Sequence, residues 1–374
     1  MRFPEFSGEW EEHTHSKYLE FKNGLNPDAK RIGSGLPFIS VMDILSEGVI
    51  NYDNIRGKVN ATEKEIECFG VKDGDLLFQR SSETLEDVGR ANVYMDNRTA
   101  IYGGFVIRGR KIGNYDPLFF KYLLATPLAR KRTCRMGAGA QHFNIGQEGL
   151  SKISLYFPSI EEQRKIAGFL SLIDERIATQ NKIIEDLKKL KSAIRKKIFS
   201  LLKDEYTKSF EINQLLDYEQ PTAYIVANDE YSTDTRLTPV LTANKGFILG
   251  YTDEKNGIYQ KGACIIFDDF TMDAKYVSFP FKVKSSAIKI LTAKPNVNLR
   301  FMFEYLSHWE LKSEEHKRHY ISEISPLVIE LPSKEKQNII ALLMTSLNNK
   351  LTIEEKAKIR YEVQKGYLLS QMFI

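Results

Sequence analysis

The pair Asp268-Asp269, followed by Asp273-Ala274-Lys275, carries the side chains that a metal-dependent nuclease needs. In such a site carboxylates bind the ion and a lysine steadies the attacking water. The spacing is too tight for carboxylates on two paired strands, and it reads better as a polar turn. Asp116-Pro117-Leu118-Phe119 has the outline of the loop with which amino-methyltransferases grip a flipped base. It lacks the second proline before the aromatic ring, and no glycine-rich cofactor turn precedes it. The histidines (His13, His15, His142, His308, His316 and His319) contain no pair matching the zinc helix motif, and no strand leads into a Gly-x-x-x-x-Gly-Lys loop. Gly103-Gly104 and Gly137-Ala138-Gly139-Ala140 read as turns. Cys68, Cys134 and Cys264 form neither a metal knuckle nor a disulfide framework, and read as apolar residues in a reducing compartment. These residues predict no catalytic centre and no metal site: a chain that binds rather than transforms.

The elements that would position a binding surface come in two copies. Phe157-Pro158-Ser159-Ile160-Glu161-Glu162-Gln163 is echoed by Leu331-Pro332-Ser333-Lys334-Glu335-Lys336-Gln337, 174 residues later. The offset persists downstream without a gap, pairing Ile166 with Ile340, Leu170 with Met344, Ile173 with Leu347 and Ile177 with Leu351. Each copy opens a long helix. Ser159 and Glu162 form a capping box pattern, and apolar residues follow at steps of three and four that keep one stripe pointed at a partner helix. Some forty residues at ~1.5 Å each make a rod of about 60 Å. Gln180 interrupts the stripe, as does its counterpart Glu354, and both read as markers that fix register. In the second helix Ser333 keeps the cap, Lys336 replaces the reciprocal Glu, and the seam after Leu351 is predicted to run through Ile359, Val363, Leu368 and Met372. The simplest partner for the first rod is the second, antiparallel.

The segments ahead of each rod echo one another too. Pro37-Phe38-Ile39-Ser40 resembles Pro239-Val240-Leu241-Thr242, Gly74-Asp75-Leu76-Leu77-Phe78 resembles Gly262 to Phe267, and Phe120-Lys121-Tyr122-Leu123 resembles Phe303-Glu304-Tyr305-Leu306. Each contains short β-rich runs (76–78 and 105–107; 240–242, 264–267 and 287–291) and then a helical stretch (116–132; 298–317). The fold class predicted is α+β: two similar α+β domains, 1–158 and 204–331, separated by two long antiparallel coiled-coil helices, 159–203 and 332–374, in a pseudo-two-fold internal repeat.

Composition agrees with such a chain. At 374 residues, with 42% hydrophobic and 27% charged content, it suits two globular domains with connecting elements. No basic-flanked apolar run opens the sequence and no window approaches the ~20 apolar residues of a membrane span, so a cytoplasmic location is expected. The net charge of +4 is small, but eight basic residues (Lys182, Lys188, Lys189, Lys191, Arg195, Lys196, Lys197 and Lys203) stand against two acidic ones between 182 and 203. That run is either a solvated helix face or a surface for phosphates or an acidic partner.

With these residues in view, the chain resembles the specificity subunits of type I restriction-modification systems. The resemblance spans nearly the whole length: Arg2-Phe3-Pro4-Glu5-Phe6-Ser7-Gly8-Glu9-Trp10, Gly74 to Ser81, Gln141-His142-Phe143-Asn144-Ile145, and above all the Pro158-Ser159 to Gln163-Arg164-Lys165-Ile166 helix start. It implies target recognition domains that each read one half of a bipartite double-stranded DNA site. The helices would set the gap and dock two methyltransferase subunits, through Gln163, Ile166, Leu170, Ile173, Ile177 and Gln180 on the first and Gln337, Ile340, Met344, Leu347, Leu351 and Glu354 on the second. A rod of that length suffices to place two readers more than one duplex turn, about 34 Å, apart. It also implies no cofactor in this chain: S-adenosylmethionine, ATP and Mg²⁺ would serve the methyltransferase and the restriction and translocase subunits.

Base edges and phosphates are met by Arg, Lys, Asn, Gln, Ser, Thr and His on loops over a rigid frame. The candidates are Gln79, Arg80, Ser81, Ser82, Gln141, His142 and Asn144 in the first domain, and Asn244, Lys245, Thr271, Lys275, Arg318 and His319 in the second. Two rival readings differ in class. In one the chain is itself a nuclease or methyltransferase centred on Asp268, Asp273 and Lys275 or on the Asp116-Pro117 loop. In the other it is a coiled-coil scaffold that binds only protein. An apolar helix stripe left uncovered would also allow the isolated chain to form a homodimer.

Overall fold

The computed structural model describes residues 2–139, 141–202, 208–242, 246–309 and 318–373. Contacts divide the chain into two units, Met1–Lys182 with Glu355–Ile374, and Ile183–Glu354. Each long helical segment is thereby shared between the units, whereas the sequence reading sets the segments apart as 159–203 and 332–374.

The first unit is built on a four-stranded antiparallel sheet in the order Leu19–Asn23, Val106–Lys111, Leu76–Gln79, Ala91–Val93. Side chains on a strand alternate between faces, and here both faces are covered. Leu76 and Phe78 enter one core, with Phe119, Phe120 and Ile166, while Leu77 enters another, with Ile39, Tyr94 and Tyr102. That is why the run Leu76–Phe78 is apolar rather than alternating. A second sheet holds Ile32–Ile39 antiparallel to Gly57–Val59 and parallel to Ala100–Tyr102. Glu11–Thr14 pairs with Ser154–Phe157 just before the long helix.

The second unit repeats this plan. Its main sheet runs Leu216–Glu219, Ile288–Ala293, Cys264–Asp268, Ala274–Val277. Thr238–Leu241 lies antiparallel to Ile248–Thr252 and parallel to Lys282–Val283, and Lys208–Glu211 pairs with Val328–Leu331. Ile265 and Phe267 face one core, Cys264 and Ile266 the other. Loops differ in length between the units, while strand order and direction are kept in the main sheet and in the three shared strands of the second sheet, to which Gly70–Val71 adds a fourth, antiparallel to Ala100–Tyr102, in the first unit.

Five helices matter most here: α1 (Pro117–Leu124) and α2 (Pro127–Cys134) in the first unit, α4 (Leu299–His308) in the second, and the long α3 (Ile160–Leu202) and α5 (Lys334–Met372), each shared between the units. The expected helix over 116–132 is two helices, because Pro127 has no N–H to continue the first and Thr126 caps the second by accepting from the Ala129 amide. Of the stretch 298–317, residues 310–317 lie outside the described residues.

The repeated helix-start motif turns out to be a clamp. Gln163 is buried; its amide oxygen accepts from the Asp116 backbone N–H at 3.0 Å and its amide nitrogen donates to the Pro158 carbonyl at 3.0 Å. Gln337 does the same with Asn298 (2.8 Å) and Pro332 (3.0 Å). Asp116 and Asn298 are the N-caps of α1 and α4, so each glutamine pins a long helix to a short one. Both were expected to face a partner subunit; the structure turns them inward. Glu162 also departs from the expected capping box. Ser159 accepts from its amide at 3.3 Å, but the carboxylate forms a bidentate pair with Arg2 at 2.6 and 2.7 Å. Substituting Gln163 or Gln337 with alanine is expected to lower the stability of its own unit by about 1–2 kcal/mol, by leaving a carbonyl and an amide without partners. Urea unfolding of each variant checks this.

In each unit the long helices run antiparallel. Ile166, Leu170, Ile173 and Ile177 share a core with Leu368 and Met372 in the first. Phe199 and Leu202 share one with Ile340 and Met344 in the second, against which Leu347 also packs. Gln180 is buried, while Leu351 and Glu354 are half-buried. Beyond Leu351 the expected seam is wrong at two places: Ile359 is 57% and Val363 67% exposed. Steps of three and four from Leu351 lead through Glu354, Lys358, Tyr361 and Lys365 to Leu368, and these are the residues turned inward. Helix phase outranks side-chain polarity here. Lys365 is accommodated by an ion pair with Asp174, which also accepts from the Tyr122 hydroxyl at 2.7 Å.

Candidate nucleic-acid interface

Where the strand Leu76–Gln79 ends, Arg80 joins three segments that are distant in sequence. Its backbone N–H donates to the Phe105 carbonyl at 2.9 Å and its carbonyl accepts from the Ile145 N–H at 3.0 Å. Ser81 and Ser82 then pair with Asn144 and Phe143, and Asn144 exchanges two 2.9 Å backbone hydrogen bonds with Ala138. Two clusters chosen from sequence, 79–82 and 141–144, thus form one small ribbon. Ser81 and Asn144 are bonded through their side chains, and the Asn144 amide nitrogen donates to the His142 carbonyl at 3.3 Å. Gln141, His142 and Asn144 are exposed, and Arg80, Ser81 and Ser82 half-exposed. Gln79 is buried and donates to the Ser81 carbonyl at 2.9 Å, so it shapes the ribbon rather than presenting itself to a ligand.

The second unit builds the same junction around Asp269. Its N–H donates to the Ala287 carbonyl at 2.9 Å and its carbonyl accepts from the His319 N–H at 2.9 Å. Thr271 and Arg318 are exposed beside it, and Lys275 is half-exposed, ion-paired to Asp273 at 3.0 Å. His319 is buried, with Nδ1 2.8 Å from the Glu323 carboxylate, which removes it from the surface expected of it. Asn244 and Lys245 lie outside the described residues.

The nuclease-like carboxylates have structural partners. Asp268 Oδ1 accepts from the amides of Phe270 (2.8 Å) and Thr271 (2.9 Å), closing the hairpin turn into Ala274–Val277. Asp269 is buried, accepts from the Tyr320 amide at 2.8 Å and lies 3.4 Å from the equally buried Lys289 ammonium. Asp116 accepts from the Phe119 amide at 2.8 Å as the cap of α1. The basic run on α3 is mixed: Arg195 turns inward to Glu304 while Lys182, Lys188, Lys189, Lys196 and Lys197 are exposed, and Lys203 lies outside the described residues.

Sequence reasoning placed no functional residue on the turn that completes each junction. In the first unit it is Gly103-Gly104-Phe105, approached by Asn26. A Cβ on Gly104 would fall 1.8 Å from Asn26 Oδ1, and one on Gly24 would fall 2.1 Å from the Gly103 carbonyl, so glycine is what lets the segments approach. In the second it is Lys284-Ser285-Ser286-Ala287, of which the first three are exposed. The glycine pair was visible as a turn, but Phe105 was indistinguishable from the apolar strand that follows it.

Comparison with known proteins accounts for this duplication. The Type I restriction modification DNA specificity domain matches residues 11–189 and again 204–363. The chain is 39% identical over 178 residues to the EcoR124I/EcoR124II type I restriction enzyme specificity subunit of Escherichia coli, a stretch that covers 42% of this chain and only 43% of that subunit. A match at 23% identity over 402 residues covers 98% of the chain and 93% of the MjaX specificity subunit assigned to a type I restriction enzyme of Methanocaldococcus jannaschii. Among solved structures, the type I restriction-modification S subunit of M. genitalium superposes with a TM-score of 0.64 at 16% identity, over 98% of this chain and 96% of that one, a likeness of fold. Among the described residues no helix is long and apolar enough to cross a membrane. With two copies of the domain filling most of its length, the chain belongs to the type I restriction modification DNA specificity family.

Proposed function

We propose that this chain is the DNA-reading subunit of a type I restriction-modification assembly in the cytoplasm. Each unit reads one half of a bipartite duplex target. The two long helices set the gap between the halves and dock two methyltransferase subunits, and restriction and translocase subunits complete the assembly. The chain has no catalysis of its own. Methyl transfer from S-adenosylmethionine and ATP- and Mg²⁺-dependent translocation belong to the partners.

The observation that supports this best is the duplicated junction. One backbone frame occurs twice, and the side chains on it differ: Arg80, Asn144 and Phe105 on one, Lys284, Ser285 and Arg318 on the other. A rigid scaffold with divergent polar loops is what reading two different words requires.

Co-expression with a type I methyltransferase subunit from the same source, followed by mapping of methylated adenines, is expected to return a motif in two parts separated by a fixed gap. A contiguous motif would sink the bipartite reading. Methylation or cutting of DNA by the purified chain alone, with Mg²⁺ and S-adenosylmethionine, would sink the non-catalytic one. Affinity for the target duplex is expected to fall steeply as salt rises, because phosphate contacts release counterions; a scaffold that binds only protein would show no such affinity.

A further inference from the structure

We infer that Phe105 is a base-reading residue of the first unit and that it contacts the 5-methyl group of a thymine in the half-site read there, beside the base or phosphate met by Arg80. This rests on the DNA-reading role proposed above and goes further by naming the residue and the chemistry of the base edge.

Phe105 is 68% exposed, among the most exposed large apolar residues described in the first unit. Scattered exposed apolar residues need no explanation, but this one sits at the junction itself. Its carbonyl holds the Arg80 amide at 2.9 Å, and the Arg80 guanidinium reaches the neighbouring Gly104 carbonyl at 3.4 Å. An aromatic ring and a guanidinium therefore share the tip of one turn.

The second unit shows that the fold does not demand the ring. There the equivalent carbonyl, accepting from the Asp269 amide, belongs to Ala287, and the turn carries Lys284, Ser285 and Ser286. The backbone junction is kept while the side chain at that position shrinks from a phenylalanine ring to the methyl of Ala287, behind a polar turn. Neither Phe105 nor Ala287 is needed for the hydrogen bond, since the backbone makes it. What differs is what the turn offers to a ligand. Apolar contact with a thymine methyl is how a phenylalanine reads the major groove, whereas lysine and serine address phosphates and polar base edges.

The test uses the full chain, alone or with co-expressed methyltransferase, and duplexes bearing the mapped bipartite site. Thymines in each half are replaced one at a time by deoxyuridine, which removes only the methyl group. Wild type is expected to lose about fourfold in affinity at one such position, the worth of one buried methyl. Phe105→Ala is expected to bind the unmodified site about tenfold or more weakly and to be indifferent to deoxyuridine at that position. Phe105→Leu should keep part of the discrimination. Unchanged affinity of Phe105→Ala, an equal loss on target and unrelated duplexes, or a deoxyuridine penalty that survives the substitution would each overturn the inference. If wild type binds the mapped site with a steep salt dependence and Phe105→Ala is neutral, only this inference fails. If wild type binds no duplex, the DNA-reading role fails with it. Because the ring is largely exposed, unchanged thermal unfolding of both variants is the expected control.

Discussion

Replacing Arg195 with alanine is expected to destabilise the second unit by about 3 kcal/mol, because it takes from a buried carboxylate the nearer of the two guanidiniums that pair with it. Glu304, on α4, is fully buried. Its Oε2 accepts from Arg195 Nη2 at 2.7 Å and Nε at 3.1 Å, and its Oε1 from the Asn348 amide at 3.2 Å, with the Arg300 guanidinium 3.7 Å away. Arg195 lies on α3 and Asn348 on α5, so one carboxylate ties three helices of the unit together. The Arg300 guanidinium at 3.7 Å and the Asn348 amide at 3.2 Å are longer contacts than the Arg195 fork and replace only part of it, whereas removing both charges is far less costly. Arg195→Met combined with Glu304→Gln should therefore recover most of what Arg195→Ala loses. Trp309 stands 5.2 Å from Tyr305 and reports on this unit once the other tryptophan is removed by Trp10→Phe. A shift in urea midpoint worth less than about 1 kcal/mol in Arg195→Ala would show that the pair is solvent-screened.

Acidification is expected to weaken the first unit through His15 by about 3 kcal/mol between pH 7 and pH 4. The imidazole is fully buried, edge-on to Phe120 at 5.4 Å and tilted against Phe78 at 6.4 Å, and neither ring nitrogen makes a well-formed hydrogen bond. Burial pushes its pKa down to about 3, opposed only weakly by the Leu150 backbone. Below its ordinary value of 6.5 the unfolded chain takes up a proton that the folded unit refuses. Stability is thus complete above pH 6.5 and drains away as pH falls towards 3. The second unit supplies the control. The His15 amide donates to the Ile153 carbonyl at 2.8 Å, the Ile212 amide donates to the Leu327 carbonyl at 3.0 Å, and each residue follows the strand that pairs ahead of its long helix. His15→Ile installs the side chain its twin already carries. It should flatten the pH dependence of the first unit, read by Trp10 in a Trp309→Phe background, without loss of stability at pH 7. An unchanged slope would mean that other groups cause the acid sensitivity.

The burial of His15 and Glu304 belongs to a wider division between what a linear pattern carries and what packing decides. The repeat was legible because it is local. Pro158-Ser159 and Pro332-Ser333 begin helices by chain stiffness and capping, and each pair precedes a stripe at steps of three and four. The strands around Leu76–Phe78 and Cys264–Phe267 were legible for a like reason, as short apolar runs between turns. The convergence of residues 79–82 with 141–144 was not, since it needs the hydrogen bonds of Arg80 to both Phe105 and Ile145.

Residue types and spacing by themselves determined that this protein is a duplication of one α+β plan with two long helices, and which polar residues were worth watching. The tertiary structure alone decided which of them face outward. Exposure depends on neighbours brought from far along the chain: Glu323 and the Asp269 backbone hold His319 inside, Asp116 and Asn298 claim the two glutamines, and helix phase turns Lys365 inward while Val363 stays in solvent.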